Sequence, residues 1–182
     1  MNYGGIILKE TIVKIPLLKT HVFANLSTLV LAIGFILLHV LLHDEFEITI
    51  TLSGFFIFLI GFIVLIILHE LFHLIGYRIY GKLNWDEMKW GFNVKMMVAY
   101  AHAKKEIPVR AMKKTLLLPF IPTGILPAFI GIIFDLPAVT LLGSILMAGC
   151  IGDFMLYYKL KPFSNDAFVK DHPSKPQFTI YH

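Results

Sequence analysis

Apolar residues gather in four long stretches separated by short polar connections. They run about Val22–Leu42, Leu52–Tyr77, Thr115–Phe134 and Pro137–Tyr158. A hydrocarbon core takes roughly 20 helical residues to cross, and each stretch is long enough. The first reads as a span rather than a cleaved signal, because it lacks a small-residue cleavage site after a short apolar core. The third carries Pro119, Pro122 and Pro127, each without an N–H to give, so a kinked or broken helix is expected there. Between spans two and three the pattern changes to period two, at Met88, Trp90, Phe92, Val94, Met96, Val98 and Tyr100. That predicts a strand or a hairpin with one apolar face, with Gly91 and Asn93 marking a turn or bulge. Bare strand backbone is not tolerated in lipid, so this segment belongs at the interface or against the helices. The expectation is an all-α membrane protein with about four transmembrane helices and a short β-hairpin or strand between spans two and three. It forms a single membrane-embedded domain, 1–182, ending in a proline-bearing cytoplasmic tail, 159–182.

Composition agrees. Of the 182 residues, 57% are hydrophobic and 15% charged, against roughly 45–50% and about 25% in soluble domains. The mean hydropathy is +0.76. The single cysteine, Cys150, excludes an intrachain disulfide and a cysteine-rich zinc module. A net charge of +4 raises the question of nucleic acid, but the basic residues follow topology instead. All 16 Lys and Arg lie in the N-terminal lead, in Arg78–Lys114 or after Tyr158. The connections His43–Thr51 and Asp135–Leu136 hold Asp44, Glu45, Glu47 and Asp135 and no basic residue. The positive-inside rule then predicts a multi-pass protein of the cell membrane, both termini cytoplasmic, with the bilayer as partner and no nucleic acid.

The chemistry concentrates in His69-Glu70-Leu71-Phe72-His73. On a helix, positions i and i+4 share a face, so both imidazoles can hold one Zn²⁺. The glutamate beside the first histidine is placed as general base for a water at the metal. A glutamate inside a span costs at least ~2.5 kcal/mol on insertion scales and needs a reason to be there. His39 and His43 share the spacing without the glutamate and read as interfacial histidines beside the acidic connection. A catalytic zinc usually takes three protein ligands and water. Asp153, His102, Glu106, Asp171 and His172 are candidates for the third. Counted from the outer ends of their spans, His69 is about 17 and Asp153 about 16 residues deep, within a helical turn at 1.5 Å per residue. Asp153 is the favoured third ligand, with Gly149 and Gly152 beside it to admit a neighbouring helix. His102, at the end of the alternating segment, is a candidate substrate or transition-state contact.

The order of these features resembles a family of zincin peptidases among small bacterial membrane proteins, first filed as a domain of unknown function. The resemblance rests on His69-Glu70-Leu71-Phe72-His73, Tyr100-Ala101-His102, Lys105-Glu106-Ile107-Pro108, Leu118-Pro119, Gly152-Asp153 and Val169-Lys170-Asp171-His172-Pro173. It implies a bacterial plasma membrane. More distantly the layout is similar to site-2 proteases, which implies His69 and His73 as ligands, Glu70 as catalytic residue and Asp153 as the ligand from a later helix. Those proteases usually place Asp before Gly, whereas here Gly152 precedes Asp153 and Phe154 follows.

The reading is a membrane-embedded metalloendopeptidase of the HExxH type with one Zn²⁺ per chain, cutting a membrane protein or peptide substrate near the cytoplasmic face. The alternating segment could pair with an extended substrate by strand addition. The alternative is a non-catalytic zinc-binding membrane protein that modulates a partner. A metal carrier ranks last, because spans one and three carry no polar stripe.

Overall fold

The computed structural model describes residues 2–3, 6–7, 9–93, 98–172 and 177–182. In chain order the elements are β1 (Asn2–Tyr3), β2 (Ile6–Ile7), β3 (Glu10–Lys14), α1 (Leu17–His43), α2 (Leu52–Ile79), β4 (Met88–Asn93), β5 (Val98–Ala103), β6 (Ile107–Pro108), α3 (Val109–Leu117), α4 (Leu126–Ile133), α5 (Pro137–Gly149), α6 (Ile151–Leu160), β7 (Phe168–Asp171) and β8 (Gln177–Tyr181). The fold is mostly helical with small antiparallel sheets. Four helical segments are long and apolar enough to cross a membrane: Leu18–His43, Leu52–Ile79, Val109–Ile133 and Pro137–Leu160.

The described chain divides into two compact units. One comprises Met1–Leu17, Glu70–Leu118 and Gly152–His182, the other Leu18–His69 and Pro119–Ile151. The division falls within continuous helices, between His69 and Glu70 of α2 and between Ile151 and Gly152 of α6.

The first unit is built on a four-stranded antiparallel sheet in the order β3-β8-β7-β6. The register pairs Val13 with Phe178, Val169 with Ile180 and Ile107 with Val169. These five side chains are all buried, together with Val109, Met112, Leu116 and Leu160. Each fully buried aliphatic side chain contributes roughly 1.5–3 kcal/mol. The tail is therefore structural, since β7 and β8 come from it and β8 pairs with the N-terminal β3. The period-two segment forms a separate two-stranded hairpin, β4 with β5. Gly91 sits in regular register opposite Tyr100 and makes no turn. Val94 and Met96, expected to continue the alternation, lie outside the described residues. The expected single apolar face splits, because reversing the chain changes which residues share a side. Met88, Trp90 and Phe92 share theirs with Ala103, Ala101 and Ala99, while Tyr100 and His102 lie on the other face with Gly91 and Lys89.

In the second unit α2 starts at a capped turn, where Thr51 Oγ1 accepts the Gly54 N–H at 3.0 Å. α5 lies so close to α4 that a Cβ on Gly143 would run into the backbone of Ala128, the close approach that small residues allow between spans. The third span breaks where its prolines are. α3 ends at Leu117, a π-helical stretch covers Phe120–Ile125, and α4 follows. The fourth span is interrupted at Cys150, whose ψ of 0° separates α5 from α6. Gly149 does not admit a neighbour, since a Cβ there would meet open space.

Candidate metal centre

His73 is buried on α2. Its Nδ1 lies 3.1 Å from the carbonyl oxygen of Thr115. A carbonyl can only accept, so Nδ1 carries a proton, and in the neutral ring Nε2 then presents its lone pair. Local sequence makes that carbonyl available. Thr115 O accepts the Leu118 N–H at 3.3 Å, and Pro119, four residues on, has no N–H to give it, which leaves a lone pair for His73. Gly76, one residue short of a turn beyond His73, brings the helices together, since a Cβ there would stand 2.9 Å from Thr115 Oγ1.

His69 is backed in the same manner. Thr123 donates its hydroxyl proton to Pro119 O at 2.7 Å. Its oxygen lies 3.4 Å from His69 Nδ1 and can accept from it. The Cys150 Sγ lies 3.8 Å from the same nitrogen and donates to Leu146 O. Thr115, Thr123 and Cys150 were not singled out from the sequence. Their signal was a carbonyl four residues before a proline and two polar side chains in apolar spans.

In front of His73, Nε2 lies 3.3 Å from Asp153 Oδ1. Asp153 is half-buried in the first turn of α6. Ligand atoms of His69, His73 and Asp153 all lie within 4.8 Å of one another. The approach calls for a cation between nitrogen and carboxylate oxygen, either a second proton on the ring or a metal ion. Two ligands each ~2.0–2.1 Å from a tetrahedral zinc stand roughly 3.3 Å apart. The donor set, two imidazoles and a carboxylate with the imidazoles bonded from behind, is the kind that zinc takes. The residues therefore fit the metal. Glu70, half-buried, follows His69 directly on α2.

The other candidates are not among the converging ligand atoms. Glu106 accepts from Lys170 Nζ at 2.7 Å. Burial pushes its carboxyl up, and the hydrogen bond and charge of Lys170 outweigh this and hold it below the ordinary range. The backbone N–H of His172 donates to Gln177 O, joining the ends of β7 and β8. His102 is buried on β5, its Nδ1 3.2 Å from Asp171 Oδ2. That approach is at ion-pair distance but out of line for a hydrogen bond, so Nδ1 has no hydrogen-bond partner among the described residues. Tyr77, one turn beyond His73, donates to the same Asp171 oxygen at 3.4 Å. His102, Asp171 and Tyr77 thus form a second group, and none of them is among the three residues whose ligand atoms converge.

A helical His-x-x-x-His pair with an acidic third partner and an adjacent glutamate is the arrangement of a zincin. The family described as "Putative zincin peptidase" matches residues 62–168. That is more than half of the chain, and the chain belongs to this family. No curated protein and no solved structure matches the chain.

Proposed function

We propose that this protein is a membrane-embedded zinc metallopeptidase that hydrolyses peptide bonds near the cytoplasmic face of a bacterial cell membrane. The observation that carries the reading is the convergence of His69, His73 and Asp153, with Glu70 between the two histidines in sequence. These three side chains would hold one zinc. Bound there, it supplies Lewis acidity, polarising a carbonyl and making water acidic near neutral pH.

The chain's own groups do the rest. Thr115 O and Thr123 Oγ1 hold the imidazole rings from behind, which orients them toward the ion. Glu70 takes the proton of the attacking water and returns it to the leaving amine. His102, held against Asp171, is the candidate donor to the developing oxyanion. The hairpin forms its own two-stranded sheet, so an outer edge can add an extended segment of a membrane protein or peptide by backbone hydrogen bonds. The charge asymmetry of the connections supports both termini on the cytoplasmic side.

The test is hydrolysis of transmembrane peptides by the full chain in proteoliposomes. Cleavage that chelation stops, that zinc restores and that Glu70→Gln abolishes while keeping its metal is expected. Function that survives Glu70→Gln would point to a zinc protein that modulates a partner without cutting.

A further inference from the structure

A second His-x-x-x-His pair stands at the C-terminal end of α1. His39, read from the sequence as an interfacial histidine, is fully buried. Its Nε2 lies 2.9 Å from Asp135 Oδ1, and His43 Nδ1 lies 4.0 Å from the same oxygen. The far side of each ring is engaged from behind. His43 Nε2 is 2.6 Å from Ile132 O, so that nitrogen carries the proton and Nδ1 turns a lone pair toward the carboxylate. Thr140 donates to Leu136 O at 3.3 Å, and its oxygen lies 3.4 Å from His39 Nδ1, able to accept from it. The potential ligand atoms of His39, His43 and Asp135 lie within 4.8 Å of one another.

A hydrogen-bonded staple between helix and turn uses one imidazole, and His39 Nε2, 2.9 Å from Asp135 Oδ1, is placed to donate. It gives no role to the lone pair that His43 Nδ1 turns toward the same oxygen at 4.0 Å. A metal cation would use both imidazoles and the carboxylate together. We propose that His39, His43 and Asp135 form a second metal site, which takes a divalent cation of the zinc class and has no catalytic role. Two nitrogens and a carboxylate favour such ions over magnesium or calcium. The residues between the histidines are Val40, Leu41 and Leu42, which offer no general base. Asp135 is 57% exposed, which leaves an entry path and room for water in the remaining position. The adjoining connection carries Asp44, Glu45 and Glu47 and no basic residue, a field that concentrates cations. Phe46 closes the buried side, its ring edge-on to His39 at 5.2 Å. The ion ties the end of α1 to the turn between α4 and α5, where the Phe35–Phe129 ring contact at 5.8 Å already links α1 to α4.

The test is zinc content per chain of the detergent-purified full chain, as wild type, Asp135→Asn and Asp153→Ala. Asparagine tolerates the left-handed backbone at this position, where φ is 52°. His43→Gln serves as a second variant if the first elutes aggregated. The expected result is two equivalents in the wild type and one in each variant. The melting temperature should fall on chelation in Asp153→Ala and not in the Asp135→Asn/Asp153→Ala double variant. Metal content equal in Asp135→Asn, His43→Gln and wild type overturns the second site. Loss from Asp135→Asn with none from Asp153→Ala leaves this site standing and removes the peptidase centre instead.

Discussion

The clusters at His69/His73 and His39/His43 share a plan and differ in one residue that matters. Each has two histidines a helical turn apart, a threonine behind the first ring, a backbone carbonyl behind the second and an aspartate in front. In the first, the residue after the leading histidine is Glu70; in the second it is Val40. On the proposed reading, then, Glu70 and not ligand geometry separates a centre that can move a proton from one that can only hold an ion. The aspartates differ as well. Asp153 is largely covered, with 16% of its side chain exposed, and Asp135 is 57% exposed. A covered carboxylate suits a site that must exclude bulk water, and an open one suits a clamp that exchanges with solvent.

The largest expected effect breaks the comparison at its centre. Glu70→Gln should lower turnover by about 10²–10⁴-fold and leave zinc content unchanged, making the first cluster resemble the second. Zinc loss alongside activity would mean that Glu70 is structural. Next comes Pro119→Ala. It restores an N–H four residues after Thr115 that competes with His73 Nδ1 for a carbonyl already accepting from Leu118. Zinc affinity at the first cluster should fall roughly 10–100-fold, the usual cost of losing an outer-shell partner, with no change at the second. Competition with a chromogenic chelator measures both, and an unchanged first affinity would show that Thr115 O has no orienting role.

Smaller effects sharpen the picture. Tyr77→Phe removes the hydroxyl that donates to Asp171. If Asp171 orients His102, turnover should fall by roughly 2–10-fold, the equivalent of one hydrogen bond, with zinc retained. A rate equal to wild type would make that group a packing feature. The smallest change is Glu106→Gln, expected to cost less than about 1 kcal/mol because the Lys170 partner is solvent-accessible. The folded Glu106 carboxyl is held below its ordinary value. Its contribution is therefore present above that ordinary value and is lost as pH falls through the lower folded one. Denaturation of wild type and variant should converge in acid; a gap that widens there would contradict the assignment.

Hydropathy alone located the four spans, because twenty apolar residues in a row have few other uses. Counting depth from the ends of spans two and four brought Asp153 level with His69, because a helix converts residue number directly into distance. Other features depend on residues distant in sequence, and no local pattern announces them. Glu10 pairs with Tyr181, turning the two ends of the chain into one sheet. Asp135 reaches His39 across 96 positions. The proline in Leu118-Pro119 announced a break, but not that the Thr115 carbonyl before it would face His73. The hairpin's faces depended on where the chain reverses, and period-two alternation carries no information about that.

The most direct measurement is zinc bound per chain in wild type and Asp153→Ala, counted by mass spectrometry on detergent-purified protein of equal monodispersity. The account predicts that the variant holds one equivalent fewer. Equal zinc in the two would contradict it, separating Asp153 from the metal and leaving His69 and His73 without the third ligand proposed for them.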